Sequence, residues 1–425
     1  MTSPLQILAT QIDPLAAAEN AAAHTNQNAS HNTYITLLPK QSFQRAEELP
    51  GLYLEKRPPL YGIPISVKDC FDVAGTVTTC GSRFYSRHNP PAKKNSWIAQ
   101  RLLDTGAVLT GKTHLHQLAY GITGENSDYG DCLQPRDATL LTGGSSSGAA
   151  ASLQEGSAFV AIGTDTGGSI RIPSALCGLS GFRTSHVFNT EALWAGGYHL
   201  APSFDTLGIL FHDLRDVAFL AEVIFDIKPV PAPTTLRIGC IGNDFLHDCD
   251  PAVLDAYEAW KQRLAQHGAK LDAFDAAFWS ESPQIYSPIV ASESAAIHRG
   301  YFEHFEPVIA ERMAYGASIP AAEIQSLHLR LHAFRSKMAT LFEDFDLLLA
   351  PCAPVSKLRA GHDHADSRKA VLRYTTPASL AGLPAVTLSG ERIGAAFGTG
   401  MQLLAPPRHD ATLLAFASSL ESEGQ

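Results

Sequence analysis

What most limits how this chain can fold is its repeated alternation of short apolar, β-branched runs with short amphipathic ones. In LYGIPISVKD, the run Ile63–Val67 has the pattern of a buried strand, and its end carries Lys68 and Asp69. Ser96 is placed to cap a helix over WIAQRLLDTG, with Trp97, Ile98 and Leu102 apolar and a stop at Gly106, and the strand AVLT follows. SSGAAASLQEG then reads as helix and SAFVAIGT as strand, so Ser169 falls just past a strand end. Further on, Asp250 and Pro251 open a helix in which Leu254, Tyr257, Trp260 or Lys261, and Leu264 recur at helical spacing up to Gly268. DFDLLLAPCAP and GLPAVTLSG read as late buried strands. This order predicts an α/β fold, one mixed, twisted central sheet with helices on both faces. The Pro-rich IKPVPAPTT at 227–235 is the best linker candidate, yet the pattern is the same on either side of it. A single domain over 1–425 is therefore expected, with residues from about 270 to 345 as a helical insertion beside the substrate pocket.

Composition narrows the partners. A formal net charge of -10 argues against the clustered basic surface that phosphates require, so nucleic acid and anionic membranes are not expected partners and a small molecule is. The seven cysteines are scattered, with no Cys-x-x-Cys pair, as in a reducing compartment. The start MTSPLQILATQIDPLAAAE lacks the basic and apolar regions of a signal peptide, and no apolar run reaches membrane-spanning length. A cytoplasmic location is expected.

Two glycine-serine clusters carry the chemistry. In TDTGGSIRIPSALCG, Ser169 follows two glycines. A turn capping a helix accounts for that arrangement, and so does a bare backbone whose N–H groups converge beside a nucleophile. The second cluster, LTGGSSSGAAA, lacks the lysine of a phosphate-binding loop. It fits a flexible Gly/Ser loop, and it also fits G-x-S-x-G, the elbow that would make Ser146 a nucleophile, although QPRDATLLT before it is a poor strand. Ser145, Ser169 and Lys68 together form a chemically sufficient set, because a serine hydroxyl needs a base and a buried lysine can be one. The competing role for Lys68 is a salt bridge, with Asp69 the adjacent acid.

The ordered motifs PLYGIPISVKDCFDVAG, TGGSSSGAAASL and AIGTDTGGSIRIPSALCGLSGFRTS strongly resemble the amidase signature family of serine hydrolases. The resemblance continues through APSFDTLGIL, DLLLAPCAP, YTTPASLAGLPAVTL and GTGMQLLAPPRHDATLLAFA, and it places a signature core over about 50–215. It implies Ser169 as acyl nucleophile, Ser145 as a bridging serine after a cis peptide bond, and Lys68 as base. It also implies an oxyanion hole from the N–H groups of Thr166, Gly167, Gly168 and Ser169, with Ser146, Asp165 and Arg171 in support. Ser147 stands where many members have glycine. That variant, with GITGENSDYG, GFRTSH and SFDTLG, looks closest to short indole-3-acetamide hydrolases. VFNTEALWAGGYHLAP departs from its usual counterpart and adds Trp194 and Tyr198 near the expected site mouth. The implied reaction is cofactor-free hydrolysis of a small carboxamide to an acid and ammonia, by a chain that acts alone or as a homodimer. Urea-like or carbamate substrates, and the glutaminase subunit of a tRNA-dependent amidotransferase, are the alternatives.

Other clusters offer less. KTHLHQ and GHDHAD contribute His114, His116, His362 and His364 with Asp363 and Asp366, but no ordered third ligand for a metal, and none is expected. Cys177, in the small apolar setting SALCGLSG, reads as core packing.

Overall fold

The computed structural model describes residues 3–421. Its strands, in chain order, are β1 (Tyr34–Leu37), β2 (Pro64–Lys68), β3 (Val108–Thr113), β4 (Leu133–Gln134), β5 (Asp137–Leu141), β6 (Val160–Thr164), β7 (Ser180–Arg183), β8 (Leu207–Phe211), β9 (Arg237–Ile241), β10 (Lys270–Phe274), β11 (Leu347–Pro351), β12 (Leu358–Arg359), β13 (Ala385–Ser389) and β14 (Gly400–Leu404). Eleven of them form one sheet in the order β1-β3-β2-β6-β8-β7-β13-β14-β11-β9-β10, and β12-β5-β4 make a small second sheet. The large sheet is mixed. β2 runs parallel to β3 and β6, β9 runs parallel to β10 and β11, and the strands between these groups pair antiparallel. Because strands from both sides of residues 227–235 enter the same sheet, that Pro-rich segment joins two parts of one α/β domain.

The central strands are buried on both faces, which is why their sequences are continuous apolar runs rather than alternating ones. All five residues of β2, and all five of β6, are buried. The expected Ser96 cap forms, its hydroxyl accepting from the Ala99 N–H ahead of helix Trp97–Asp104. Ligand sites in such sheets lie beyond the carboxyl ends of parallel strands. Here that edge brings together Lys68 at the end of β2, the loop after Thr164 at the end of β6, and the start of helix Ser147–Gln154.

Three expectations need correction. The segment read as helical from about 270 opens with β10, an edge strand paired in parallel with β9, and its helices are Ser282–Ile297, Pro307–Ser318 and Ala321–Asp344. Only Phe274 of β10 is fully buried, so no apolar run announces it. In helix Pro251–Gln266 the buried stripe is Val253, Ala256, Tyr257, Trp260 and Leu264, whereas Leu254 is exposed. QPRDATLLT, a poor strand by composition, contributes to the β4–β5 hairpin of the small sheet. Among the described residues no helix is long and apolar enough to cross a membrane.

Candidate active site

Lys68 leaves β2 wholly buried, and its Nζ is surrounded by hydroxyls: Ser145 Oγ at 2.8 Å, Thr164 Oγ1 at 2.8 Å and Ser146 Oγ at 3.1 Å. Burial pushes the Lys68 pKa down to about 8, against the pull of Asp205 and Asp165. A neutral amine has two N–H donors and one lone pair, so one of the three hydroxyls must donate to Nζ. Ser146 is the poorest candidate, because its hydroxyl already faces the Thr164 carbonyl at 3.2 Å while accepting from the Thr164 N–H at 3.3 Å. Ser145 and Thr164 are left to share the lone pair. Asp69 does not compete for Lys68: it pairs with Lys112 at 2.6 Å and accepts from the N–H and hydroxyl of Thr79.

The peptide Gly144–Ser145 is cis, as the resemblance implied. Ser169 lies beside this turn, its carbonyl accepting from the Ser146 N–H at 3.2 Å, and its own hydroxyl makes no hydrogen bond among the described residues. The loop from Asp165 to Ser169 is shaped by one carboxylate. Asp165 accepts from the Gly168 N–H at 2.8 Å and the Ile170 N–H at 3.3 Å, and it holds the guanidinium of Arg171 at 2.9 Å and that of Arg183 at 2.7 Å. Of the four N–H groups expected to form an oxyanion hole, that of Gly168 is therefore already committed. Those of Thr166, Gly167 and Ser169 have no acceptor among the described residues. Gly168 has φ of 125°, a conformation in which a side chain is strained, and a Cβ on Gly167 would collide with the Tyr286 hydroxyl.

Burial alone would raise the pKa of Asp165, but Arg171 and Arg183 outweigh it and hold the carboxyl well below the usual range. Removing one partner from such a buried cluster leaves charge uncompensated and costs roughly 3–5 kcal/mol. Asp165→Ala is thus expected to lower unfolding stability by about that amount in urea titration, and a loss under about 1 kcal/mol, the range of an exposed pair, would contradict the assignment.

Trp194 is packed rather than open. Its ring stacks on His199 with centroids 4.0 Å apart and leans on Phe71 at 5.7 Å, so it braces the chain just after Lys68 instead of lining a mouth. Tyr198 is 44% exposed, with its N–H on the Cys70 carbonyl. The histidine pairs do not converge. His114 Nε2 bonds the Gly130 carbonyl, His364 Nε2 bonds the Arg359 carbonyl, Asp363 caps the Ala365 N–H, and Asp366 faces Lys369. No group of three metal-binding side chains occurs among the described residues. Cys177 is buried with its thiol toward the Thr142 carbonyl, and all seven cysteines are free.

Thr164, Arg183, Lys112 and Tyr286 were not singled out from the sequence. Thr164 and Arg183 sit inside quoted motifs, GTDTGG and GFRTS, where a buried polar residue next to a strand end was the available signal.

Comparison with known proteins gives this geometry a family. The model of the family described as Amidase matches residues 16–414. The chain belongs to the amidase family. This amidase is 32% identical over 391 residues to a 2-amino-5-chloromuconic acid deaminase of Comamonas testosteroni, covering 86% of this chain and 82% of the relative. It is 31% identical over 404 residues to a 1-carboxybiuret hydrolase subunit of a Pseudomonas strain, covering 87% and 86%. Among solved structures, an amidase crystal structure superimposes with a TM-score of 0.87 at 27% identity, covering 98% of each chain. The amidase is accordingly an amidohydrolase that cleaves C–N bonds of amides, and an acyl-enzyme mechanism is characteristic of its family.

Proposed function

We propose that this amidase hydrolyses the primary amide of a small carboxylic acid, with Ser169 as nucleophile, Ser145 as proton relay and Lys68 as base. One observation carries the reading: a wholly buried lysine with a pKa near 8 has its Nζ 2.8 Å from Ser145 Oγ, beside a loop with three unused backbone N–H groups. Ser169 Oγ attacks the carbonyl carbon while its proton passes through Ser145 to the Lys68 amine. The N–H groups of Thr166, Gly167 and Ser169 receive the oxyanion, and three such donors pre-aimed at developing charge are a large source of rate. The C–N bond then breaks as the proton returns through Ser145 to the leaving nitrogen, giving ammonia and an acyl-Ser169. Water, deprotonated by the same relay, releases the acid. Ser146 and Asp165 hold the loop, with Arg171 anchoring Asp165. Tyr198 lies at the rim, and the enzyme works in the cytoplasm as a monomer or homodimer.

A urea-like substrate is the second reading, favoured by the likeness to a carboxybiuret hydrolase subunit. A panel of amides, ureas and carbamates with ammonia release as readout separates the two. Amide turnover supports the first reading, and turnover confined to ureas or carbamates overturns it. Because the polar side chains at Lys68 satisfy one another and His114 and His364, one from each histidine pair, are bonded to backbone carbonyls, activity is expected to survive EDTA and exhaustive dialysis. Loss of activity that zinc alone restored would contradict this.

A further inference from the structure

His116 links the Lys68 site to a second polar cavity. Its backbone N–H donates to the Ser145 carbonyl at 3.3 Å, and its ring fills the space where a Cβ on Gly121 would stand. Both residues line a cavity of about 370 Å³ whose other wall carries Arg312, from helix Pro307–Ser318, and Arg368, from helix Ala365–Ala381. Arg312 donates through Nη1 to the Tyr120 carbonyl at 2.8 Å, and its guanidinium lies 5.4 Å from the Tyr120 ring centroid. The Arg368 guanidinium reaches no acceptor at all among the described residues, although its Nε is fully buried.

The acids of the same cavity are occupied elsewhere. Glu125 accepts from the Thr123 hydroxyl at 2.6 Å, Asp131 from the Asn126 N–H at 3.3 Å, Glu306 from the Ser127 N–H at 2.7 Å, and Asp363 from the Ala365 N–H at 2.9 Å. Among the described residues no ion pair joins either arginine to a carboxylate. Two half-buried guanidiniums thus face one cavity with no carboxylate in ion-pair contact, although Glu306 and Glu311 act on Arg312 from farther away, and an anion placed between the two guanidiniums would supply that contact. The electrostatics agree: burial, then Arg368, pushes Arg312 down to about 10, and burial, then both arginines, pushes His116 down to about 3. Tyr286, whose hydroxyl abuts Gly167, also lies within the field of Arg368. The geometric link to the Lys68 site is His116 itself, which lines the cavity with its ring and holds the Ser145 carbonyl with its N–H.

We propose that Arg312 and Arg368 bind a free carboxylate of the substrate, so that the amide cleaved is the monoamide of a dicarboxylic acid. The assignment rests on the reading of the Lys68, Ser145 and Ser169 site as an amidase centre, and it names the class of acid. Guanidinium donors match the two oxygens of a carboxylate. A single negative charge suits a cavity whose remaining wall carries four carboxylates better than a phosphate dianion does.

The test is calorimetric binding to Ser169→Ala protein, which needs no turnover. Monoamides of dicarboxylic acids with two to five carbons are each compared with the neutral diamide of the same length. At least one monoamide is expected to bind tenfold or more tighter than its diamide. Arg368→Met and Arg312→Met should each erase most of that preference, weakening the monoamide far more than the diamide, and Arg368→Lys should recover part of it. If no monoamide outbinds its diamide, the proposal is overturned whatever the variants do. The same holds if the folded double variant keeps the preference, or if inorganic phosphate binds as tightly as the best monoamide. Should Arg368→Met not fold, Arg368→Gln carries the same expectation. Fluorophosphonate labelling of the wild-type enzyme separates the two levels. Labelling at Ser169 without a monoamide preference removes the carboxylate subsite and leaves the amidase centre, whereas a preference without labelling removes the nucleophile assignment and leaves the subsite.

Discussion

Ser169→Ala is expected to abolish covalent labelling by a fluorophosphonate probe and to lower turnover by on the order of 10⁴-fold or more, as removal of a covalent nucleophile does. The expectation follows from which hydroxyl is free. Ser146 has its proton directed at the Thr164 carbonyl and Ser145 has its oxygen on Lys68, while Ser169 Oγ has no partner among the described residues and sits within the loop whose N–H groups are unused. Proteolysis and mass spectrometry of labelled protein locate the adduct. An adduct on Ser146 would restore the elbow reading, and undiminished turnover in Ser169→Ala would remove Ser169 from the mechanism. Ser145→Ala should also be slow yet still take up label at Ser169 sluggishly, since it removes the proton route and leaves the attacking oxygen in place.

The parts of this site that could be read from the sequence are those determined by local chemistry. An uninterrupted apolar run ending in lysine is recognisable as a buried strand that delivers a cation to a sheet edge, and β2 does so with Lys68. Gly-Gly-Ser is recognisable as backbone that a side chain would obstruct, and Gly168 with its positive φ is that position. Pairings between distant segments were not readable. Asp69 stands next to Lys68 in sequence, but successive residues of an extended chain point in opposite directions, and the carboxylate meets Lys112 from β3 instead. The commitment of the Gly168 N–H to Asp165, and the capture of Asp165 by Arg183 from β7, depend likewise on loop geometry and strand order. β10 is not legible because an edge strand needs only one buried side chain, and Leu254 reads as part of the buried face because Val253, one position earlier, fits the same helical period. Arg312 and Arg368 come from two helices far apart in the chain, and nothing in either local sequence marks them as a pair.

Lys68 is expected to set the pH dependence of the reaction. A solvated lysine with a pKa of about 10.4 is neutral in roughly one molecule in 2,500 at pH 7. With its pKa held near 8 by burial, Lys68 is neutral in roughly one molecule in ten at that pH, a gain of over two orders of magnitude in available base. The sign follows directly: the folded pKa is depressed, the active form is the free amine, and kcat/KM should therefore rise with pH and level off above about 8. Because Asp69 is engaged by Lys112, no adjacent carboxylate pairs with Lys68 to restore the ammonium. Lys68→Ala should eliminate the limb and cost about 10³-fold or more in kcat/KM, the upper part of the range for a positioned base combined with loss of nucleophile activation. Lys68→Arg keeps a cation but cannot supply a lone pair in this range, and its planar fork does not match three hydroxyls gathered around one nitrogen. It should be nearly as inactive as Lys68→Ala. A Lys68→Arg enzyme with near-normal activity and an unchanged pH profile would show that Lys68 serves only as a fixed charge, and the proton from Ser169 would then need another acceptor.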